Sequence, residues 1–226
     1  MAANWRARLV VGALALAALA GCNPIVSLEY IFNNGDPQTK PEFALTQPAS
    51  RKHEDIRVVV ITSARPSLGE SVGMDQALAV AFTQALEKFA TDSKVKLTVL
   101  KHQPLARYRD DHPEWKSDHP IDIGKHFGAD YAIDMEILSL SLYEPGSARR
   151  LLRGRGSIAL QVYDLSKRDR TAAMEQEYPI LYPNGYEVDA GDQPLSAFRS
   201  KLIKRVAEDL AMKFVPRSTG QHPMDN

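Results

Sequence analysis

Four of the chain's six histidines, His102, His112, His119 and His126, fall in one short stretch among Asp110, Asp111, Asp118 and Asp122. Imidazoles and carboxylates are the donors a divalent metal centre uses, but such centres space them in short fixed patterns. Here no His-x-x-x-His repeat sets two rings on one helix face, and Pro113 and Pro120 break the segment. The stretch therefore reads as solvated loop, and no metal or other cofactor is expected. Asp134 and Glu136 stand two apart in an alternating apolar run, which puts both on one face of a strand. Paired carboxylates can divide general acid and base work. The competing role is a polar face balanced across the strands by Arg153 and Arg155, and this is the expectation. Ser139 and Ser141 sit in no Gly-x-Ser-x-Gly elbow. Gly154-Arg155-Gly156 is too short to be a phosphate loop or a dinucleotide fingerprint. No catalytic residue is expected, so the chain is read as a non-enzyme.

Two other groups suggest contacts rather than catalysis. Arg149, Arg150, Arg153 and Arg155 form the one dense basic patch. Such a patch suits anionic lipid head groups, an acidic glycan or an acidic partner surface; it also suits an exposed hairpin that uses charge to discourage edge pairing. Tyr178, Tyr182 and Tyr186, with Pro179 and Pro183, fit an aromatic protein-contact strip or a packed edge strand. Over the whole 226 residues, 28 basic side chains balance 28 acidic ones. That balance removes the broad electrostatic footprint a nucleic-acid binder needs. A hydrophobic fraction of 44% is ordinary for a folded globule.

The single cysteine, Cys22, excludes an internal disulfide framework and any multi-cysteine zinc site. Its surroundings are specific. Arg6 and Arg8 precede an apolar run from Leu9 to Ala20, too short to span a bilayer, and Leu19-Ala20-Gly21-Cys22 follows. A thiol near an ordinary signal-cleavage site would be one explanation. The tetrapeptide resembles the lipobox of bacterial lipoproteins, which implies cleavage between Gly21 and Cys22. It also implies a diacylglycerol on the thiol and an acyl chain such as palmitate on the new N-terminus. Several acyl chains anchor a protein stably where one is marginal. Asn23 rather than Asp follows the cysteine, which under the enterobacterial sorting rule favours the outer membrane over the inner.

The elements that would position these residues can be read from periodicity. Residues 22–55 hold Pro24, Pro37, Pro41, Pro48 and an Asn33-Asn34-Gly35-Asp36 turn cluster, and are expected to be a lipidated N-terminus and tether after the 1–21 signal peptide. Residues 56–215 are expected to form one globular domain and 216–226 a frayed, disordered tail. Arg57 to Thr62 and Lys96 to Leu100 read as strands. Leu78, Phe82, Leu86 and Phe89 mark a helix over 74–90. Short helices follow at Pro104 to Asp111 and at Ile121 to Phe127, the latter stopped by Gly128. Tyr131, Ile133, Met135 and Ile137 are apolar on odd positions, then Leu138, Leu140 and Leu142 on even ones. That slip predicts a β-bulge near Ile137–Leu138. With Leu152 to Val162 it predicts a long antiparallel hairpin, pairing 142 with 152, 138 with 156 and 135 with 160. A strand over Ala172 to Leu181 and a helix over 194–214, capped by Asp192 with Pro194 in its first turn, complete an α/β (α+β) fold. The expected sheet is mixed, of about five strands, and covered by helices.

The passage Asp122-Ile-Gly-Lys-His-Phe-Gly-Ala-Asp-Tyr131, with the strand Ala132 to Leu138, resembles bacterial envelope lipoproteins related to CsgG, LpoB and the N-terminal domain of TolB. Tyr108 to Trp115 and the Arg-rich hairpin are similar to lipoproteins of planctomycete-like bacteria. The resemblance implies a small anticodon-binding-domain-like fold over about residues 56–214. It also implies assembly work in the periplasm: building secretion channels, activating peptidoglycan synthases or scaffolding envelope complexes. On this reading the chain is a lipid-anchored interaction module with an envelope protein partner, and a homo-oligomer is one form it takes. A self-assembling channel or ring and an envelope hydrolase or metal-binding protein are the alternatives.

Overall fold

The computed structural model describes residues 38–48, 54–65 and 73–218. The signal segment, Cys22 and most of the expected tether lie outside these residues. Lys40–Arg217 forms one compact unit. The short strands Gln38–Thr39 and Arg217–Ser218 make a two-stranded sheet of their own. No helix among the described residues is long and apolar enough to cross a membrane.

β-Branched residues dominate β1 (Ile56–Ala64), and both of its faces are buried along most of its length. The chain continues through α1 (Met74–Asp92), β2 (Leu97–Val99), α2 (His102–Asp111), a 3-10 turn (Trp115–Ser117) and α3 (Pro120–His126). The hairpin is β3 (Tyr131–Tyr143) and β4 (Leu151–Asp164). It is followed by β5 (Met174–Tyr182), the two-residue β6 (Val188–Asp189) and α4 (Leu195–Ala211). The main sheet runs β2-β1-β3-β4-β5, with β6 pairing β4 where β5 has ended. β1 is parallel to β2 and to β3, and the other pairings are antiparallel. The result is the expected mixed α+β sheet.

Local chemistry sets several element ends. Gly128 adopts φ +63° just past α3, a conformation glycine reaches without strain, so the helix stops there. Pro120 occupies the first turn of α3, and the Nδ1 of His119 accepts the Ile121 amide at 3.3 Å. Two expectations need correction. α2 begins at His102, with Pro104 inside its first turn rather than opening it. In α4, Pro194 is itself the N-cap with extended backbone, while the Asp192 amide donates to the Asp189 carbonyl. Asp192 is spent on a turn one step earlier.

The two sheet faces are covered unequally. One lies under α1 and α4, where Phe82, Leu86, Phe198, Leu202 and Leu210 are at most 1% exposed against Ile133, Met135, Leu160 and Val162. The other lies under α2 and α3, in a smaller cluster of Val59, Ile61, Leu105, Ile121, Ile123, Ala132 and Tyr163. Part of the expected tether joins the first layer. Leu45 is buried, Phe43 meets Tyr131 and Phe214 edge-on, and the Phe43 amide donates to the Lys213 carbonyl at 3.0 Å. Burial of this kind stabilises by about 1.5–3 kcal/mol per large apolar side chain, enough to hold a short strap in place.

The predicted bulge is present. Ile137 pairs with Ile158 and Ser139 with Ser157, so Leu138 is the extra residue, and 135 faces 160 as expected. Near the turn the register differs from expectation. Leu140 rather than Leu138 faces Gly156, and Tyr143 rather than Leu142 faces Leu152. A second irregularity, between Ser141/Arg155 and Tyr143/Leu152, puts an additional residue on β4 and restores the original register. Gly156 is needed at the first bulge because a Cβ there would collide with the Ser139 carbonyl. Gly154 lets Leu202 of α4 lie directly on β4.

Candidate functional site

Ala132, Asp134 and Glu136 point to the sheet face shared with α2 and α3. Arg109, in the last turn of α2, reaches over the uncovered edge of β1: its Nη2 donates to the Thr62 carbonyl at 2.9 Å. Its guanidinium packs 4.2 Å from the centre of the Trp115 ring. Asp134 lies close enough for Arg109 to feel its charge. Burial pushes the Asp134 carboxyl up to about 6, and the neighbouring Glu136 charge adds to the rise. Arg109 and the Met135 amide pull the other way. Glu136 is more exposed and meets Arg65 at 3.5 Å.

The expected compensation by Arg153 and Arg155 does not occur at these acids. The register sets Asp134 opposite Gln161 and Glu136 opposite Ala159, while the two arginines lie further toward the turn. Gln161 donates to Glu175 at 3.0 Å and accepts the Tyr163 hydroxyl at 2.9 Å. Ser139 and Ser141 continue the same face. The Ser139 and Ser157 hydroxyls are 3.4 Å apart, and the Ser141 hydroxyl donates to the Tyr143 carbonyl at 3.0 Å. What the cluster offers chemically is one carboxyl that takes up a proton near neutral pH, beside a polar, partly open sheet surface.

At the turn, the structure divides the four arginines into two pairs. Arg155 donates from Nε and Nη2 to the two Glu144 oxygens, each at 3.0 Å, a bidentate fork. Arg153 donates to Glu187 at 2.6 Å and lies 3.6 Å from Glu144. Arg149 and Arg150 belong to the turn itself: the Arg149 guanidinium lies 5.4 Å from the Tyr143 ring centre, and Arg150 Nε donates to the Ser147 carbonyl at 3.4 Å. Ala148 and Arg149 both have positive φ, 49° and 63°, a conformation that costs L-residues energy. Nothing in the sequence marks Glu144 and Glu187 as the acids that organise the arginines, and Glu187 sits 34 positions from Arg153.

The histidine segment disperses. His119 caps α3 and meets Tyr163 edge-on. His112 stacks on Tyr108, and His126 lies 5.0 Å from the same ring. Tyr108 donates to Asp118 at 2.7 Å, and Asp122 takes both Arg170 nitrogens at 3.1 and 2.6 Å. Among the described residues, no group of three or more His, Cys, Asp or Glu side chains is placed to hold a metal ion. Of the three tyrosines, Tyr178 donates to Asp209 of α4 at 3.0 Å and Tyr182 packs on Phe198, whereas Tyr186 is 54% exposed. Two of the three therefore belong to the packing of β5 rather than to a contact strip. A small apolar cavity lies between α1, α4 and the bulge, lined by Met74, Leu140, Ile180 and Leu202 among others.

No family model and no curated protein matches the chain. Solved structures similar to it in outline include PelC from Paraburkholderia phytofirmans, described as a dodecamer. The two share 9% identity at a TM-score of 0.39, over 79% of this chain and 96% of that one. Lipoprotein GNA1162 from Neisseria meningitidis shares 13% identity at a TM-score of 0.41, over 69% and 98% of the two chains. Protein XCC0632 from Xanthomonas campestris shares 13% at 0.43, over 76% and 90%.

Proposed function

We propose that this chain is a lipid-anchored protein of a bacterial cell envelope, exported through its signal segment, acylated at Cys22 and facing the periplasm. The observation that carries this reading is Leu19-Ala20-Gly21-Cys22, placed directly after the apolar run and holding the chain's only cysteine. The globular unit then acts by binding another envelope component rather than by catalysis. Its resemblance to the CsgG, LpoB and TolB group supports that role. The half-covered sheet and the arginine-bearing turn are the surfaces the unit has to offer. The Asn23 that follows the cysteine favours the outer membrane.

The test follows incorporation of labelled palmitate and membrane fractionation in an exporting bacterium. The wild-type chain takes up label and sediments with membranes, and Cys22→Ala loses both. Normal fractionation of Cys22→Ala would overturn the anchor. In-cell crosslinking of the native protein tests the binding role, and recovery of no protein above background would overturn it.

A further inference from the structure

The part of the sheet that α2 and α3 leave bare carries a charge pattern laid out by the strands. The register across β3, β4 and β5 defines rows on this face, with Ser139–Ser157–Pro179 in the middle. One row toward the base is Glu136–Ala159–Glu177, two acids flanking an alanine, and Asp134–Gln161–Glu175 repeats the arrangement. One row toward the turn, Ser141–Arg155–Leu181, inverts it: the cation now stands on β4 between two uncharged residues. Arg153 follows on the same strand. Ser139, Arg155, Glu177, Pro179 and Leu181 are all exposed.

We propose that this face docks on the same face of a second copy of the chain, about a two-fold axis lying along the Ser139–Ser157–Pro179 row. That rotation lays each strand over its own counterpart with direction reversed. Arg155 then falls over Ala159 of the second copy, between its Glu136 and Glu177. Arg153, 14% exposed and paired with Glu187 at 2.6 Å, stays within its own chain. Each contact occurs twice, as an isologous interface requires. Stacking the copies with strands in the same direction would set Arg155 over Arg155 and acids over acids, so charge selects the reversed arrangement. The small middle row lets two sheets approach to about 10 Å, while the long charged side chains span the gap at either end. Within one chain, the Glu144 fork already holds Arg155 in position, which lowers the entropy lost on docking. Three strands by eight residues give a footprint of about 14 by 26 Å. This is well below the roughly 800 Å² per partner of a tight complex. The dimer is therefore weak in solution, and tethering to one membrane supplies the effective concentration it needs. The inference rests on the reading of the domain as an interaction module but not on the acyl anchor.

Sedimentation of the full chain in detergent over a hundredfold range of concentration tests it. A monomer–dimer equilibrium is expected. Glu177→Arg and Arg155→Glu should each weaken it at least tenfold, and the double variant should recover most of the loss, which a merely structural role would not produce. Because Arg155→Glu also gives up the Glu144 fork, Ser139→Arg serves as an independent block on the axis. Ser157→Cys in a Cys22→Ala background should crosslink to itself with a short bismaleimide, whereas Val80→Cys, exposed on α1, should not. A monomer at every concentration overturns the inference, as does a dimer indifferent to all three charge and axis variants. A monomeric protein that still captures a different envelope protein would end this inference and leave the binding role standing.

Discussion

Asp134 is the described carboxyl whose protonation the fold alters most. Its carboxyl holds a proton up to about 6, against 3.8 for a free side chain, because burial and Glu136 both penalise the charge. The folded state thus binds the proton more tightly than the unfolded chain, and stability falls as pH rises through the window from about 4 to 6. Below that window both states are protonated and the penalty is absent; above it the penalty is complete. Asp134→Asn should remove this slope and be more stable than wild type above pH 7 by about 1–3 kcal/mol, read from paired urea titrations at several pH values. An identical pH profile for the two proteins would show that Arg109 fully balances the charge. The carboxylate pair itself was legible, since two acids two apart on a strand must share a face. Their partners were not: Arg65 and Arg109 lie 71 and 25 positions from Glu136 and Asp134, and only the parallel β1–β3 pairing and the course of α2 bring them close.

At the level of elements, the segment Glu42–Thr46 behaves as a strap rather than as a tether. Its contacts are the buried Leu45, the Phe43 ring against Tyr131 and Phe214, the Thr46 hydroxyl 3.1 Å from the Tyr131 hydroxyl, and a Lys213–Glu42 pair at 2.8 Å. Exposed ion pairs contribute little, so the apolar contacts hold it. Leu45→Ala should cost about 2–4 kcal/mol in chemical denaturation, where a residue in a free tether would cost nothing measurable. Proline spacing concealed the strap, because two apolar residues among breakers give no period to detect. Elements with long periods were legible: α1, α4 and the β3–β4 hairpin appear close to their expected spans. So does the bulge at Leu138, since a slip of alternation that stays apolar has one physical explanation. The compensating irregularity on β4 left no trace, because Leu152, Gly154 and Ile158 all stay on the α4 face and the alternation there does not slip. The cap of α4 was misassigned for a related reason: Asp192 and Pro194 both suit a helix start, and the competing turn at Asp189 decides between them.

Across the whole molecule, the two layers differ in depth. Among the described residues, thirty buried side chains make up the cluster beneath α1 and α4, against seven beneath α2 and α3. Opening free energies scale with the apolar surface an opening exposes, so the thinner layer can detach while the sheet stays folded. Side-chain links across it are few and largely exposed, chiefly the Asp122–Arg170 pair on α3 and the Arg109 contact with Thr62 on α2. Native-state hydrogen exchange should therefore show the amides of α2 and α3 exchanging through a shared sub-global opening. Those of β3, β4 and α4 should exchange only at the global limit. Uniform protection across both layers would mean that the small cluster is energetically continuous with the large one through the sheet. The same asymmetry bears on the exposed half of the sheet, because α2 ends where Arg109 meets the row of Asp134. An opening of α2 and α3 would lengthen the bare face and release Arg109 from that acid. Substitutions that strengthen the α2–α3 layer are accordingly expected to keep Arg109 beside Asp134 and the bare face at its present length.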